Sequence, residues 1–146
     1  MNKSFLIDSN IIVYSIDNTV SWNSLANLVI KGCKFNLYVS IQNIAETYRV
    51  ITDSKKVANP LQPVDAQTII FKKIGHLKII YPNDKTMNDA LNLAISKGIV
   101  GVDIYDCMLA QVIIENGLDG IITQDIDDFK NHYSFSVIDL QEALNM

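Results

Sequence analysis

Short apolar segments alternate with longer segments of helical periodicity along the whole chain. Continuous apolar residues such as Phe5-Leu6-Ile7 predict strands that are buried on both faces. Apolar residues spaced three and four positions apart predict amphipathic helices between these strands. The predicted strands cover residues 4–7, 37–40, 77–81, 119–123 and 136–140. Strands alternating with helices predict a three-layer α/β/α fold around a five-stranded parallel sheet.

Capping residues and glycines set the predicted helix ends. Serine, threonine and aspartate are favoured before a helix, and glycine is favoured after it. We predict helices from Ser21 to a stop at Gly32, from Ile41 to about Thr52 after Ser40, from Val64 to Ile74 before Gly75, from a Thr86–Asp89 capping box to Gly98, and over 103–116 with Asp103 as the cap. Residues 141–146 are expected to form a short helix or tail.

Length and composition favour one globular domain spanning residues 1–146. The 146 residues are 49% hydrophobic, which is enough to bury a substantial core but leaves no room for a second domain. The chain has no run of about 20 apolar residues and no secretory leader pattern at its start, so we expect a cytoplasmic protein without a membrane span. Cys33 and Cys107 lie in apolar contexts, and we expect buried thiols rather than a disulfide framework.

The charge distribution limits how the chain can meet a polyanion. The formal net charge is −4 and the isoelectric point is near 5.0, so no general basic field attracts nucleic acid. A polyanion must therefore bind at a local cluster of basic residues. Arg49, Lys55 and Lys56 form a small basic cluster, which suits either a phosphate-contacting rim or a solvated helix end.

Four acidic residues are predicted to meet at one edge of the sheet. Asp8 follows the first strand, and Asp125 follows the fourth. Glu46 lies on the helix after the second strand, and Asp106 opens the helix that leads into the fourth. Ligands of open α/β sheets bind at the carboxyl ends of the strands. Each acid also has a simpler explanation, since aspartate caps helices and Glu46 could pair with Arg49.

Carboxylates gathered at one edge repel each other unless a cation compensates them. Oxygen ligands without histidine or thiolate select hard cations, so we expect Mg²⁺ or Mn²⁺. Such an ion activates water for attack on a phosphate ester. Asp127 and Asp128 compete with Asp125 in the loop after the fourth strand, and we assign Asp125 because it lies nearest the strand end. Asp103 is assigned to capping.

The same residues resemble the motifs of the PIN domain family over nearly the whole chain. The matching segments are short individually but specific in this order: Phe5 to Asn10, Ile44 to Val50, Ile104 to Ala110, and Ile122 to Phe129. The resemblance implies a sheet ordered 3-2-1-4-5 and a Mg²⁺- or Mn²⁺-dependent endoribonuclease. It also implies metal-binding or catalytic roles for the four acids, which are Asp8, Glu46, Asp106 and Asp125.

Further expectations follow from this resemblance. Ser9, Asn10 and Thr123 are expected to orient the ligating carboxylates by hydrogen bonds. Small members of the family are commonly VapC-like toxins that cleave RNA, form homodimers and are silenced by an antitoxin protein. Two features depart from the family pattern: Cys107 stands where alanine is usual, and acids are crowded from Asp125 to Asp128.

Two other functions compete with the nuclease. A haloacid-dehalogenase-like phosphatase also has aspartate after its first strand, but it needs a second aspartate two positions later, where this chain has Asn10. A catalytically silent PIN-like protein-interaction module would not need the four acids. The chain contains no glycine-rich dinucleotide motif and no P-loop motif.

Overall fold

A five-stranded parallel sheet forms the centre of the computed structural model, which describes residues 1–146. The strands are β1 (Ser4–Ile7), β2 (Asn36–Ser40), β3 (Lys78–Ile80), β4 (Gly120–Ile122) and β5 (Ser136–Ile138). Their order is β3-β2-β1-β4-β5, which confirms the α/β/α fold and the implied strand order. In the register of the two central strands, Ile7 lies opposite Ile122.

Helices cover both faces of this sheet. They are α1 (Ser9–Ile16), α2 (Asn23–Gly32), α3 (Ile41–Ile51), α4 (Pro63–Ile74), α5 (Thr86–Lys97), α6 (Ile104–Glu115) and α7 (Leu140–Asn145). Two short 3₁₀ turns, Gly101–Asp103 and Ile126–Asp128, precede α6 and follow β4. None of these helices is long and apolar enough to cross a bilayer.

Alternate residues of β1 pack into two separate cores. Phe5 and Ile7 join the larger core, to which α1, α2, α3, α4 and α7 contribute. Leu6 joins a smaller core on the other face, where Leu109 and Ile113 of α6 pack against it. Side chains on a strand alternate between the two faces, so a continuously apolar segment suits a strand covered on both sides.

Helix α6 is itself buried between two layers. It packs against the sheet through Leu109 and against α5, where the Cys107 thiol lies 3.5 Å from the Ala90 carbonyl oxygen. A helix that is apolar all round needs such double coverage. Both cysteines are free thiols, and Cys107 is buried as expected, whereas Cys33 is only partly buried.

Two predicted helix starts are wrong. Helix α2 begins at Asn23 after Trp22, which makes no side-chain cap, so Ser21 lies in the preceding turn. At the start of α5 the capping position belongs to Lys85. Thr86 is the first helical residue, and its hydroxyl instead accepts from the Asn83 N–H at 2.9 Å and donates to Glu115 at 3.0 Å. The predicted Thr86–Asp89 capping box is therefore absent.

Two other helix-end predictions also need correction. Gly32 remains inside α2, because the chain turns extended at Cys33 without a left-handed residue. Asp103 follows a 3₁₀ turn in a helical backbone conformation and makes no side-chain cap. A capping side chain generally requires an extended backbone at its own residue, and Asp103 does not have one. Gly98 does end α5 in the left-handed conformation, with φ of 66°, as predicted.

Candidate metal centre

The predicted acidic edge lies beside the point where the strand order reverses, between β1 and β4. From β1 the chain continues to β2 on one side, whereas β4 lies on the other side of β1. The Asp8 N–H extends the pairing of these strands by donating to the Ile122 carbonyl oxygen at 3.0 Å. Helices diverge from such a point and leave a crevice at the carboxyl ends of the strands. Asp8 and Asp125 both follow the strands that border this crevice.

Asp8 is the buried centre of the edge, with only 6% of its surface exposed. Its Oδ1 accepts from the Ser9 N–H at 2.7 Å, so the side chain caps α1 as the simpler explanation proposed. Its Oδ2 accepts from the Thr123 hydroxyl at 2.8 Å. Burial nevertheless raises the pKa of Asp8 to about 6, and the charges of Glu46 and Asp125 raise it further while the hydrogen bonds oppose the shift.

Asn10 and Thr123 connect Asp8 to Asp125. The Asn10 amide donates to the Thr123 hydroxyl oxygen at 3.1 Å and to Asp125 Oδ2 at 3.0 Å. The Asp125 N–H also donates to the Thr123 hydroxyl oxygen, at 3.0 Å. The expected hydrogen bonds from Asn10 and Thr123 are therefore present. They hold the exposed Asp125 carboxylate beside the buried one.

Glu46 reaches the same edge from α3. The Ser9 hydroxyl donates to its Oε2 at 3.0 Å, and the Gln42 amide donates to its Oε1 at 3.0 Å. Both carboxylate oxygens are thus held by neutral donors, and the alternative of a pair with Arg49 is not needed to explain a half-buried carboxylate. Sequence reasoning missed Gln42, although its spacing of four residues from Glu46 on a helix was a usable signal.

Asp106 lies in the first turn of α6 and is half-buried. Burial is the main reason why its pKa is raised to about 7, followed by the charges of Asp128, Asp8, Glu46 and Asp103. Asp106 is therefore electrostatically coupled both to the Asp8–Glu46 pair and to the acids on its other side.

A small cavity of about 120 Å³ adjoins Asp106 on that other side. Its lining residues are Ile99, Asp103, Asp106, Asp127, Asp128, His132 and Tyr133. His132 is exposed, and its Nε2 lies 3.1 Å from the Asp127 carbonyl oxygen. Burial raises the pKa of both Asp128 and Tyr133. No sequence signal placed Tyr133 beside Asp106, because the two residues are far apart in the chain.

The donor chemistry of this edge suits a hard divalent ion. Asp8, Glu46, Asp106 and Asp125 offer only oxygen, and burial, with repulsion between the acids added to it, raises the pKa of Asp8 and of Asp106. No three acidic, histidine or cysteine side chains form a group compact enough to hold an ion directly. Mg²⁺ tolerates this spacing because it keeps several waters and contacts only one or two carboxylates. The oxygen-only donor set of this edge is therefore of the kind that Mg²⁺ or Mn²⁺ prefers.

Comparison with known proteins gives one family match. The profile of the PIN domain family matches residues 5–134. Among curated proteins, no sequence matches the chain.

Solved structures provide further matches. VapBC2 from Rickettsia felis bound to a promoter DNA fragment has 20% identity and a TM-score of 0.64, covering 93% of this chain and 98% of that one. VapBC from Salmonella typhimurium bound to DNA has 18% identity and a TM-score of 0.64, covering 96% and 99%. VapC20 from Mycobacterium tuberculosis, a sarcin-ricin loop cleaving toxin, has 8% identity and a TM-score of 0.62, covering 80% and 86%. At these identities the likeness concerns the fold.

Proposed function

The chain belongs to the PIN domain family, and we propose on that premise that it is a Mg²⁺- or Mn²⁺-dependent endoribonuclease, the toxin of a VapBC-like toxin–antitoxin pair. One observation carries the proposal: besides burial, the charges of Glu46 and Asp125 raise the pKa of Asp8, and the charges of Asp8 and Glu46 raise the pKa of Asp106, so acids from four segments influence one another at the switch point of the sheet. Such an arrangement costs stability, and a hydrolase that works on phosphodiesters gains a cation site from it.

Three of the four proposed ligands, Asp8, Glu46 and Asp125, accept hydrogen bonds from neighbouring residues. Asp8, Glu46, Asp106 and Asp125 would hold the ion. Bound there, a divalent cation supplies positive charge that activates water and neutralises charge on the phosphate oxygens. Thr123 and the Ser9 N–H fix both oxygens of Asp8, and Asn10 fixes Asp125.

The acidic edge repels the phosphates of RNA, so basic residues outside this edge must attract the substrate. Arg49 follows Glu46 by almost one turn on α3 and is exposed, as are Lys55 and Lys56 beyond the end of that helix. We assign these three residues to phosphate contacts that position the RNA backbone beside the acidic edge. The family resemblance favours RNA, and VapC20 is described as cleaving the sarcin-ricin loop.

An antitoxin partner is supported by the fold of the structural neighbours, several of which are VapBC complexes. The structure also has a concave apolar surface between α3 and α4, with a volume of about 700 Å³. Val64 and Phe71 are exposed there at 69% and 47%. An amphipathic helix can lay its apolar face into a groove of this kind. We therefore assign the antitoxin to this groove.

A homodimer is proposed through a different surface. Met87, Leu91 and Ile95 are spaced four residues apart along α5 and form an exposed apolar stripe, with exposures of 43%, 46% and 79%. A convex helix stripe can pack against its own copy about a two-fold axis, whereas a groove needs a convex partner. Val100 and Val102, which follow α5 in the chain, are also exposed.

The proposed activity is tested by cleavage of a defined RNA with Mg²⁺, Mn²⁺ or chelator. The wild type is expected to cut only with metal. Asp8→Asn and Asp106→Asn should each reduce the cleavage rate on the order of 100-fold or more, because each removes a ligand charge. Asp84→Asn is the matched control, since Asp84 is an exposed carboxylate in the loop between β3 and α5.

Two results would contradict the proposed nuclease, and a third would change its ligand set. Release of phosphate from small monoesters without RNA scission would support the phosphatase. Saturable metal binding with neither activity would support the silent interaction module. RNA cleavage by Asp106→Asn at the wild-type rate would remove Asp106 from the ligand set while leaving the nuclease assignment in place.

A further inference from the structure

Gln42 connects two helices that otherwise belong to opposite faces of the sheet. Its amide nitrogen donates to Glu46 Oε1 at 3.0 Å within α3 and to the Tyr105 carbonyl oxygen at 2.9 Å in α6. A glutamine amide carries two N–H donors, so both are used. The Tyr105 carbonyl belongs to the peptide bond that carries the Asp106 nitrogen. One side chain thus holds one proposed ligand directly and the backbone of another.

The two helices that carry these ligands pack into different cores. Helix α3 contributes Ile51 to the larger core, whereas α6 contributes Leu109 to the smaller core on the other face. Gln42 joins the first turns of the two helices, where the charge of Glu46 adds to burial in raising the pKa of Asp106. A neutral donor that links them opposes this repulsion without adding a charge that would compete with a cation.

We infer that Gln42 is a positioning residue, which sets the spacing between Glu46 and Asp106 for a divalent cation by bridging the Glu46 carboxylate and the Tyr105 carbonyl. This inference rests on the proposed function, because it concerns the same cation site. An ordinary surface glutamine four residues before a glutamate would stabilise α3 alone. The second bond, to a residue 63 positions away, distinguishes Gln42 from that case.

The test measures Mn²⁺ binding by calorimetric titration of the full chain without RNA. Gln42→Met keeps the length of the side chain and removes both donors, and we expect about 10-fold weaker Mn²⁺ binding, since loss of a residue that orients a ligand typically costs 10- to 100-fold. Gln42→Ala is expected to weaken Mn²⁺ binding by a similar factor. Alanine favours the helix, so this variant replaces Gln42→Met in the test if the methionine variant folds poorly. Gln141→Met makes the same change at an exposed position of α7 and should leave Mn²⁺ affinity unchanged.

A double-mutant cycle shows whether Gln42 acts through Glu46. In a Glu46→Ala background, Gln42→Met should weaken Mn²⁺ binding by a smaller factor than in the wild type, because half of the bridge is already lost. Thermal unfolding in chelator provides the comparison with a purely structural role. Such a role would lower the melting temperature in chelator while leaving Mn²⁺ affinity unchanged.

The outcomes separate this inference from the proposed function. Wild-type RNA cleavage together with unchanged Mn²⁺ affinity in both Gln42 variants would overturn the role of Gln42 and leave the nuclease intact. Mn²⁺ binding that weakens in the Gln42 variants, in a protein that cuts no RNA, would support Gln42 and overturn the nuclease. A wild type that binds no Mn²⁺ would overturn the inference, because no cation would then be positioned.

Discussion

At the scale of single residues, Asp8 makes two contributions of opposite sign to the stability of the fold. It caps α1 through the Ser9 N–H, which favours the folded chain, and it places a carboxylate that is 6% exposed beside two other acids. A capping aspartate elsewhere would be solvated. Here burial raises its pKa to about 6, so ionisation of Asp8 at neutral pH works against folding. Replacing the Asp8 carboxylate with a neutral side chain should therefore remove the cost of burying a charge and, at the same time, lower the activity.

We predict that the stability difference between Asp8→Asn and the wild type depends on pH. Asp8 has a pKa of about 6 in the fold and an ordinary value of 3.8. The folded chain therefore binds more protons than the unfolded chain within this window, and the free energy of unfolding of the wild type falls as pH rises through it. In chelator, the variant should gain on the order of 3 kcal/mol relative to the wild type between pH 4 and pH 7.5.

Urea unfolding at several pH values measures this difference. The change with pH is the informative quantity, because Asp8→Asn also loses one hydrogen bond at every pH. The NH₂ group of the asparagine cannot accept from the Thr123 hydroxyl as Asp8 Oδ2 does. It cannot donate to that hydroxyl either, because the Thr123 oxygen already accepts from Asn10 and from the Asp125 N–H. Parallel stability curves for the two proteins would show that Asp8 is not a buried charge in the metal-free fold.

At the scale of secondary structure elements, β4 fits closely between β1 and β5 because it begins with glycine. A Cβ atom at Gly120 would lie 2.0 Å from the Ser136 carbonyl oxygen and 2.9 Å from the Phe5 ring. The first of these contacts is with backbone of the neighbouring strand, which cannot move without disturbing the sheet. β4 also leads directly to Thr123 and Asp125, so its position fixes one side of the acidic edge.

We predict that Gly120→Ala lowers the free energy of unfolding by about 3 kcal/mol or more, because the added methyl group overlaps the Ser136 backbone. Gly32→Ala is the matched control. Gly32 lies in α2, with no atom within 4 Å of an added Cβ, so alanine should leave stability unchanged or raise it by about 0.5 to 1 kcal/mol. Chemical denaturation of both variants checks the pair, and similar losses in both would refute the close fit at Gly120.

At the scale of the whole molecule, several acidic side chains lie at the carboxyl edge of the sheet, where we propose that a cation binds. Asp8 and Asp106 both have raised pKa values there, to about 6 and about 7. Such an arrangement destabilises the cation-free chain and is relieved when a cation binds the folded state alone. Stability should therefore depend on divalent metal.

We predict that Mn²⁺ raises the melting temperature of the wild type and that chelator reverses the effect. At about 100 times the dissociation constant, binding contributes about 2.7 kcal/mol, which corresponds to a shift of roughly 5 to 10 °C for a chain of this size. Asp106→Asn should reduce the shift strongly, whereas Asp84→Asn should keep it. Calorimetric melting curves with and without Mn²⁺ give the answer, and equal shifts in both variants would exclude Asp106 from the site.

A second prediction at this scale concerns the oligomeric state. Leu91→Asp places a charge in the middle of the α5 stripe and should convert the proposed homodimer to a monomer, since a buried unpaired charge is costly at an interface. Leu28→Asp makes the same change on α2, where Leu28 is 56% exposed outside the stripe, and should leave the dimer intact. Light scattering coupled to gel filtration measures the mass. A monomeric wild type would rule out the dimer.

The pattern of apolar segments was sufficient to predict the layers of the fold and to place the acids that follow strands at one edge. Continuous apolar segments such as Phe5-Leu6-Ile7 can only be buried on both faces, and helices between parallel strands force every strand to end at the same edge. The place of Asp8 at that edge therefore follows from its position in the chain alone. The strand order required the family resemblance in addition, and the structure confirms it.

Tertiary structure decided which side chains touch within that edge. The bridge from Gln42 to Tyr105 and the cavity shared by Asp106 and Tyr133 join residues that no periodicity relates. The failed cap at Asp103 depends on the backbone angles that the preceding 3₁₀ turn imposes. Periodicity reports which face of an element is buried, but hydrogen bonds and charge coupling depend on distances of a few ångströms between distant segments, and only the packed chain fixes those distances.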